Sequence, residues 1–395
     1  MSAKREKIKE HQLQGFKYFK AISGLLENLH DAGCNRDKAG NRTLHMDQYM
    51  SLLLLYMFNP ICTSLRAVQQ ASELKKVQRK LGCSRSSLGS LSESARVFDS
   101  ELMQEIIKDL SAQLKPISRH AKLDDLAGIL TAVDGTLINA MAKMTWALWK
   151  TEANAVKAHT QFDLEKHVPV KMTITDGNGD ERAVLADNLE SGRIYVKDRG
   201  YASLALFQQI LDNHSSFVCR VKDNSVYECL EDFELTADAV AAGIVFDKKV
   251  RLGSNDKTIQ QLSVPVRLIA IKCTPHKKRY KTARGGPEQG ETLLVATDIF
   301  DQEADVIALM FKHRWAVEIF FRFFKHVLGC RHLLSYDRNG IELQTYAAII
   351  ACMLIALWTG RRPTLRTYEM LCWYFTGMAD EEELLAHIAR LQKQD

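Results

Sequence analysis

The sequence predicts an α/β fold: a mixed sheet flanked by helices, with a helical N-terminal domain, a β-rich insertion and a helical C-terminal region. Three observations predict it. Residues 1–120 carry helical periodicity throughout, with no run of alternating β-branched residues. From Gly128 the pattern changes to short apolar strands punctuated by turns, and then to strands alternating with helices. From Gln302 onward long helical patterns return.

Composition sets the outer bounds. A chain of 395 residues with 46% hydrophobic content buries a real core, divides into two or three domains, and excludes a disordered protein. A net charge of +5 suits a polyanionic partner without requiring one. The nine cysteines (Cys34, Cys62, Cys83, Cys219, Cys229, Cys273, Cys330, Cys352, Cys372) are odd in number and scattered. They offer no C-x2-C or C-x2-H pairing, so they read as reduced thiols in a cytosolic protein, not as a zinc site or disulfide framework. The N-terminal segment MSAKREKIKEHQ holds no apolar stretch for a secretory signal. Tyr49 to Phe58 and Tyr346 to Trp358 are apolar but too short to span a bilayer, and read as buried core helices. A cytoplasmic protein without membrane contact is expected.

The elements follow in order. Strands are expected at Gly128 to Asp134, Lys157 to Leu164 and Val168 to Thr175, the last ended by the turn Asp176-Gly-Asn-Gly179. Next come a helix at Glu181 to Leu189, a strand at Gly192 to Lys197, a helix at Leu204 to Asn213 and a strand at Ser216 to Lys222. Short β-like pieces follow (Val245 to Leu252, Val264 to Cys273, Thr292 to Thr297), then one long helix from Gln302 to about Leu328. The order β-β-β-α-β-α-β and then a helix is that of a ribonuclease-H-like domain. It spans residues 121–223 and 301–335, interrupted by a β-rich insertion at 224–300 and flanked by helical regions at 1–120 and 336–395. From Gly243 to Gly290 eleven Lys or Arg face three Asp or Glu, a local net of +8, centred on Lys277, Lys278, Arg279 and Lys281. These four are either a solvated charge run or a phosphate-binding loop.

Such a fold would converge three carboxylates. Asp134 ends the first strand in Thr-Ala-Val-Asp-Gly-Thr, and Asp198 ends the fourth in Val-Lys-Asp-Arg-Gly-Tyr, before a glycine that allows a tight exit. Glu318 lies inside the helix after the insertion. Phosphodiester cleavage needs a nucleophilic water at neutral pH and relief of charge on the leaving oxygen. Two Mg²⁺ ions roughly 3.5–4 Å apart supply both, Mn²⁺ can substitute, and hard oxygen ligands suit them. No histidine cluster competes, which disfavours zinc. Taken singly, each aspartate could equally cap a turn, and Glu318 could form an i,i+4 pair with Arg314 or Arg322. On an ideal helix Arg314, Glu318 and Lys325 fall within an arc of about 40°. Met310, Val317, Phe320, Phe321, Phe324 and Leu328 form the adjoining apolar arc. Arg314, Arg322 and Lys325 are thus candidates to hold DNA phosphates beside the carboxylate.

These residues resemble the insertion-sequence family-four transposases, a branch of the DDE transposases marked by Y-x2-R-x3-E-x6-K on the glutamate helix. Arg314, Glu318 and Lys325 fit that spacing, as do Asp-Gly-Thr around Asp134, Asp-Arg-Gly-Tyr around Asp198 and the β-rich insertion. The resemblance runs over most of residues 45–360. Phe311 stands at the tyrosine position, so a phosphate contact by a phenol hydroxyl is lost or made by another group. The resemblance implies cut-and-paste transposition: a homodimer binds inverted repeats in double-stranded DNA, nicks them and joins the 3′ ends to target DNA in a bacterial cytoplasm. Some members use a DNA hairpin and a tryptophan of the insertion. Here tryptophan occurs only at 146, 149, 315, 358 and 373, leaving Tyr280, Tyr227 or Phe246 as stacking surfaces.

Further DNA contacts are expected less directly. Lys157 and His159 on the second strand either approach phosphates or the reacting water, or are ordinary strand residues. Arg199 either pairs with Asp198 or binds DNA, while Asp176, Asp180 and Asp187 read as turn and cap residues. The segment from Ser64 through Ser92 reads as two helices joined by a glycine turn, the second opened by serine caps: a helix-turn-helix for the repeats, or plain packing. Three functions share these features: an active transposase, a nuclease of the same fold without strand transfer, and a catalytically idle DNA-binding regulator.

Overall fold

The computed structural model describes residues 26–391, apart from 31, 33–35, 39, 118–119, 151–152, 254–261 and 273–291. Its strands are β1 (Ile129–Asn139), β2 (Leu148–Lys150), β3 (Ala153–Asp163), β4 (Val168–Asp176), β5 (Arg193–Lys197), β6 (Ser216–Val221), β7 (Tyr227–Asp232), β8 (Ile244–Leu252), β9 (Val266–Lys272) and β10 (Thr292–Thr297). They form one sheet. β1 pairs antiparallel with β3, which carries β4 and the short β2 on its other edge, while β1, β5 and β6 run parallel. That is the order 4-3-1-5-6 in chain numbering, the arrangement expected of a ribonuclease-H-like core.

Side-chain alternation explains why this part of the sheet is covered on both faces. In β5, Ile194 and Val196 join one apolar core, while Tyr195 joins the other. The same split puts Leu130 and Ala132 of β1 in the first core and Val133 in the second. Helix α7 (Leu204–Asp212) covers the second face, with Phe207 stacked on Phe217 at 4.2 Å. β1 runs five residues past Asp134, longer than its sequence suggests, because β3 continues to pair with it to Asn139.

The insertion continues the sheet. β10 pairs antiparallel with β6, and β9, β8 and β7 follow outward. β7 carries an exposed, polar face with no alternation, which is why its sequence gives no strand signal. The basic residues Lys277, Lys278, Arg279 and Lys281, with Tyr280, lie outside the described residues. Arg267 of β9 and Asp247 of β8 form a buried pair (Nε to Oδ1 2.8 Å), and Arg267 also donates to the carbonyl of Gln302, at the approach to the next helix. The insertion therefore braces that helix. Arg267→Ala leaves Asp247 buried and unpaired and is expected to cost about 3–5 kcal/mol, read as a lowered urea midpoint.

The helices at the two ends of the chain share one core. α1 (Met46–Phe58), α2 (Leu65–Ser72), α3 (Lys75–Leu81), α4 (Leu88–Val97) and α5 (Met103–Gln113) pack with α11 (Arg338–Thr359), α12 (Leu365–Thr376) and α13 (Glu381–Leu391). α11 lies between α1 and β4, and Tyr368 on α12 donates to the carbonyl of Met57 on α1 at 2.7 Å. α11 is long and apolar enough to cross a membrane, yet 89% of that window is buried inside the protein, as a core helix requires. In the expected helix-turn-helix, Ser64 and Ser87 do cap their helices through Ala67 and Ser90, but the short α3 and the left-handed Gly82 (φ 61°) intervene.

The helix predicted as continuous from Gln302 to Leu328 is broken. α9 (Ala304–His313) ends at Arg314, α10 (Trp315–Arg322) restarts from it, and Phe323–Val327 forms a π-helical turn closed by Leu328 N–H on the Phe323 carbonyl. The wider turn accompanies burial of Phe320, Phe321, Phe323 and Phe324 together, more than one α-helical stripe holds. The direction of Lys325 therefore no longer follows ideal helical spacing.

Candidate active site

Two adjacent strands build the base of the site. Val133 of β1 and Lys197 of β5 are partners in a parallel pair, so Asp134, inside β1, and Asp198, just past the end of β5, stand at the same level. By alternation they follow Ala132 and Val196, toward the face on which α10 packs against β1. Asp134 Oδ1 accepts from its neighbour Gly135 N–H at 2.8 Å, and Asp198 Oδ1 accepts from Gly200 N–H at 2.8 Å. The turn after β5 is thereby fixed by the acid it presents, while Asp134 stays within β1.

Arg314 closes the third side. From the break between α9 and α10 its guanidinium reaches Glu318 Oε1 at 2.9 Å and Asp134 Oδ2 at 3.5 Å. Burial pushes the Asp134 carboxyl up to about 7, against the pull of Arg314 and Gly135 N–H, with Asp198 and Glu318 adding to the rise. Such a carboxylate, crowded by two others and already drawing a guanidinium, is suited to a cation. Among the described residues no three His, Cys, Asp or Glu stand close enough to hold one metal ion as they are. The donors are oxygen-only, as a hard divalent ion prefers, and Arg314 holds the position between two of them.

The remaining predicted residues fall in different settings. Lys157 lies near the site but is engaged, with Nζ 3.0 Å from the Gly179 carbonyl and 3.3 Å from Glu181 Oε1. His159 is buried, its Nε2 2.9 Å from Thr175 Oγ1, and burial lowers its pKa to about 4. A neutral, enclosed imidazole offers phosphates no charge. Because the folded value lies below the ordinary 6.5, the stability tied to this histidine is present above pH 6.5 and lost as pH falls through 4. His159→Gln is expected to flatten that loss, by up to about 3 kcal/mol, in urea unfolding at pH 7 and pH 4.5.

Arg199 and Arg322 are exposed, and among the described residues neither forms an ion pair; Glu318 pairs with Arg314 instead. Lys325 is half-buried, and burial lowers its pKa. Phe311 packs against the first core, and Tyr227 and Phe246 pack against the second. Asp176 holds Asn178 N–H at 2.7 Å, Asp180 caps α6 (Glu181–Ala186) through Arg182 N–H at 2.9 Å, and Asp187 follows its last turn.

Two groups at the site escaped sequence reasoning. Glu181 opens α6, and a Cβ on Gly135 would lie 2.7 Å from its Oε1. Tyr201 follows the Asp198 turn and is fully buried, and its hydroxyl makes no hydrogen bond among the described residues. The signal lay in the glycines after both aspartates, which leave room for a neighbouring side chain.

Comparison with known proteins identifies the family. The family model described as "Transposase DDE domain" matches residues 126–354, more than half of the chain. The chain belongs to the DDE transposase domain family. It is similar to a curated protein of Sinorhizobium fredii named as transposase y4zB, 27% identical over 231 residues, which are 58% of this chain and 60% of that one. It is also similar to one of Geobacillus stearothermophilus named as a transposase for insertion sequence element IS5377, 27% identical over 57% of this chain and 55% of the other. The chain thus spans under two thirds of the length of either relative. Among solved structures, a piggyBac transposase synaptic complex with hairpin DNA aligns with a TM-score of 0.44 and 11% identity, over 98% of this chain and 86% of that one. In DDE domains the acids serve divalent metal ions, and the matched span contains Asp134, Asp198, Arg314, Glu318 and Lys325.

Proposed function

We propose that the protein is an active transposase that binds the inverted repeats of a mobile element as a homodimer, cuts them and joins the 3′ ends to target DNA. The observation that carries this reading is the convergence of Asp134 and Asp198, from adjacent parallel strands, with Glu318 through the shared Arg314. Asp134, Asp198 and Glu318 would hold two divalent ions, Mg²⁺ with Mn²⁺ as substitute. Bound there, the ions would supply an activated water and neutralise the leaving oxygen.

The chain's own residues do the rest. Arg314 is held within reach of two acids and moves to a phosphate when a cation takes its place between them. Lys325, Arg322 and Arg199 follow the backbone on either side, and the basic run Lys277, Lys278, Arg279 and Lys281 adds further phosphate contacts. Lys157 acts through Glu181, and the buried His159 serves the strand that carries it. The helices from Ser64 to Val97 are the surface for the repeats. The C-terminal helices, with Leu365, Trp373 and Met378 exposed, are the surface for a second copy. The DNA acted on is chromosomal or plasmid, in a bacterial cytoplasm.

The experiment supplies a pre-cleaved element end and a target duplex with Mg²⁺. A transposase gives covalently joined product. A nuclease of the same fold gives only shortened strands, and an idle regulator gives binding without either.

A further inference from the structure

Beyond the triad, a fourth carboxylate and a buried hydroxyl, unpartnered among the described residues, lie within electrostatic reach of the two aspartates. Glu181 Oε1 lies 2.7 Å from where a Cβ on Gly135, the residue after Asp134 in β1, would be. Its Oε2 lies 3.8 Å from the corresponding point on Gly200, and Asp198 Oδ1 lies 3.1 Å from that same point. Glu181 therefore sits between the residues that follow the two catalytic aspartates. Lys157 Nζ, 3.3 Å away, holds it there and offsets its charge.

Tyr201 adds an independent observation. Its side chain is fully buried, and its hydroxyl finds no partner among the described residues. The charges of Glu181, Asp134 and Asp198 all act on it. A buried hydroxyl left unsatisfied costs roughly 1–3 kcal/mol, which native proteins avoid by giving it a partner. An oxygen shared with the neighbouring carboxylates would be that partner.

We propose that Glu181 and the Tyr201 hydroxyl are positioning residues that hold hydration water of a divalent ion bound by Asp134 and Asp198. Tyr201 donates to one such oxygen, Glu181 accepts from it, and Lys157 keeps Glu181 in place. Partners of this outer kind tune an ion's affinity and orientation without touching it. A side chain at 135 would displace the flexible end of Glu181, and one at 200 would crowd Asp198 Oδ1. This inference rests on reading the triad as the ion site.

The test is Mn²⁺ binding to the full-length, DNA-free protein, followed by electron paramagnetic resonance of the free ion. Tyr201→Phe keeps the ring and removes only the hydroxyl, and Glu181→Gln keeps the shape and removes the charge. Each is expected to weaken Mn²⁺ binding about tenfold or more. Gly135→Ala, whose methyl displaces the mobile end of Glu181, is expected to give a smaller loss in the same direction. Asp198→Ala should abolish the site. If Tyr201→Phe and Glu181→Gln bind Mn²⁺ as tightly as the unaltered protein while Asp198→Ala does not, the proposal is overturned and the triad reading stands. If Asp134→Ala and Asp198→Ala both bind as tightly as the unaltered protein, the triad reading itself fails. Should Glu181→Gln lose cooperative unfolding, Tyr201→Phe decides alone.

Discussion

Asp134→Ala, Asp198→Ala and Glu318→Ala are each expected to lower Mg²⁺-dependent strand cleavage on the order of 10³-fold or more, while binding to element ends stays within a few-fold. The three act as a unit, so any pair of substitutions should cost little more than one. The physical reason is that the two aspartates are carried at the same level by neighbouring parallel strands, and neither can be replaced by a nearby acid. Glu181 is the nearest alternative, but its carboxylate is paired with Lys157. Single-turnover cleavage of a labelled end, beside a binding titration in Ca²⁺, separates loss of chemistry from loss of binding.

Arg314→Ala is expected to have the second largest effect. In the unaltered protein its guanidinium lies between Asp134 and Glu318, at 3.5 and 2.9 Å. Removing it leaves the crowded acids without a cation, so an added ion gains more from binding. The expected signature is a larger Mg²⁺-induced rise in Tm for the variant than for the unaltered protein. Cleavage nevertheless falls by roughly 10²-fold, because the guanidinium is lost as a phosphate ligand when charge develops. Arg314→Lys should recover part of the binding but little of the rate, since an ammonium does not reproduce a planar fork. An unchanged Mg²⁺ response together with unchanged cleavage would contradict this role.

Much of the fold was legible in the sequence for a simple reason. The strand β5 and the first half of β1 are apolar runs, and both aspartates stand where those runs stop, although β1 itself continues to Asn139 through its pairing with β3. The signal was weakest where tertiary packing decides. β7 has no apolar alternation because it is an exposed edge, and β2 is three residues held only by its neighbour β3. The broken helix was hidden because Arg314 is an ordinary helix former. It becomes a break only through its place between α9 and α10, and the π-helical turn follows from four phenylalanines that must all be buried.

The site itself was legible through spacing and illegible through chemistry. Arg314 and Glu318, four residues apart, do meet on one helix edge, as their periodicity predicts. His159 could not be read as buried, since strand alternation alone does not say which face an element covers. Glu181 and Tyr201 were hidden because a glutamate at the first position of a helix and a tyrosine after a glycine turn are common. Only the glycines beside them hint that something approaches closely.

The central claim is that Glu318 and the two aspartates bind the ion that cuts DNA, and a ligand exchange tests it most directly. Glu318→Cys places a soft thiolate where a hard carboxylate stood, which Mn²⁺ accepts and Mg²⁺ does not. Strand cleavage by this variant should be absent in Mg²⁺ and return in part in Mn²⁺, with end binding the same in both. Cleavage by Glu318→Cys at the unaltered rate in Mg²⁺ would contradict the account.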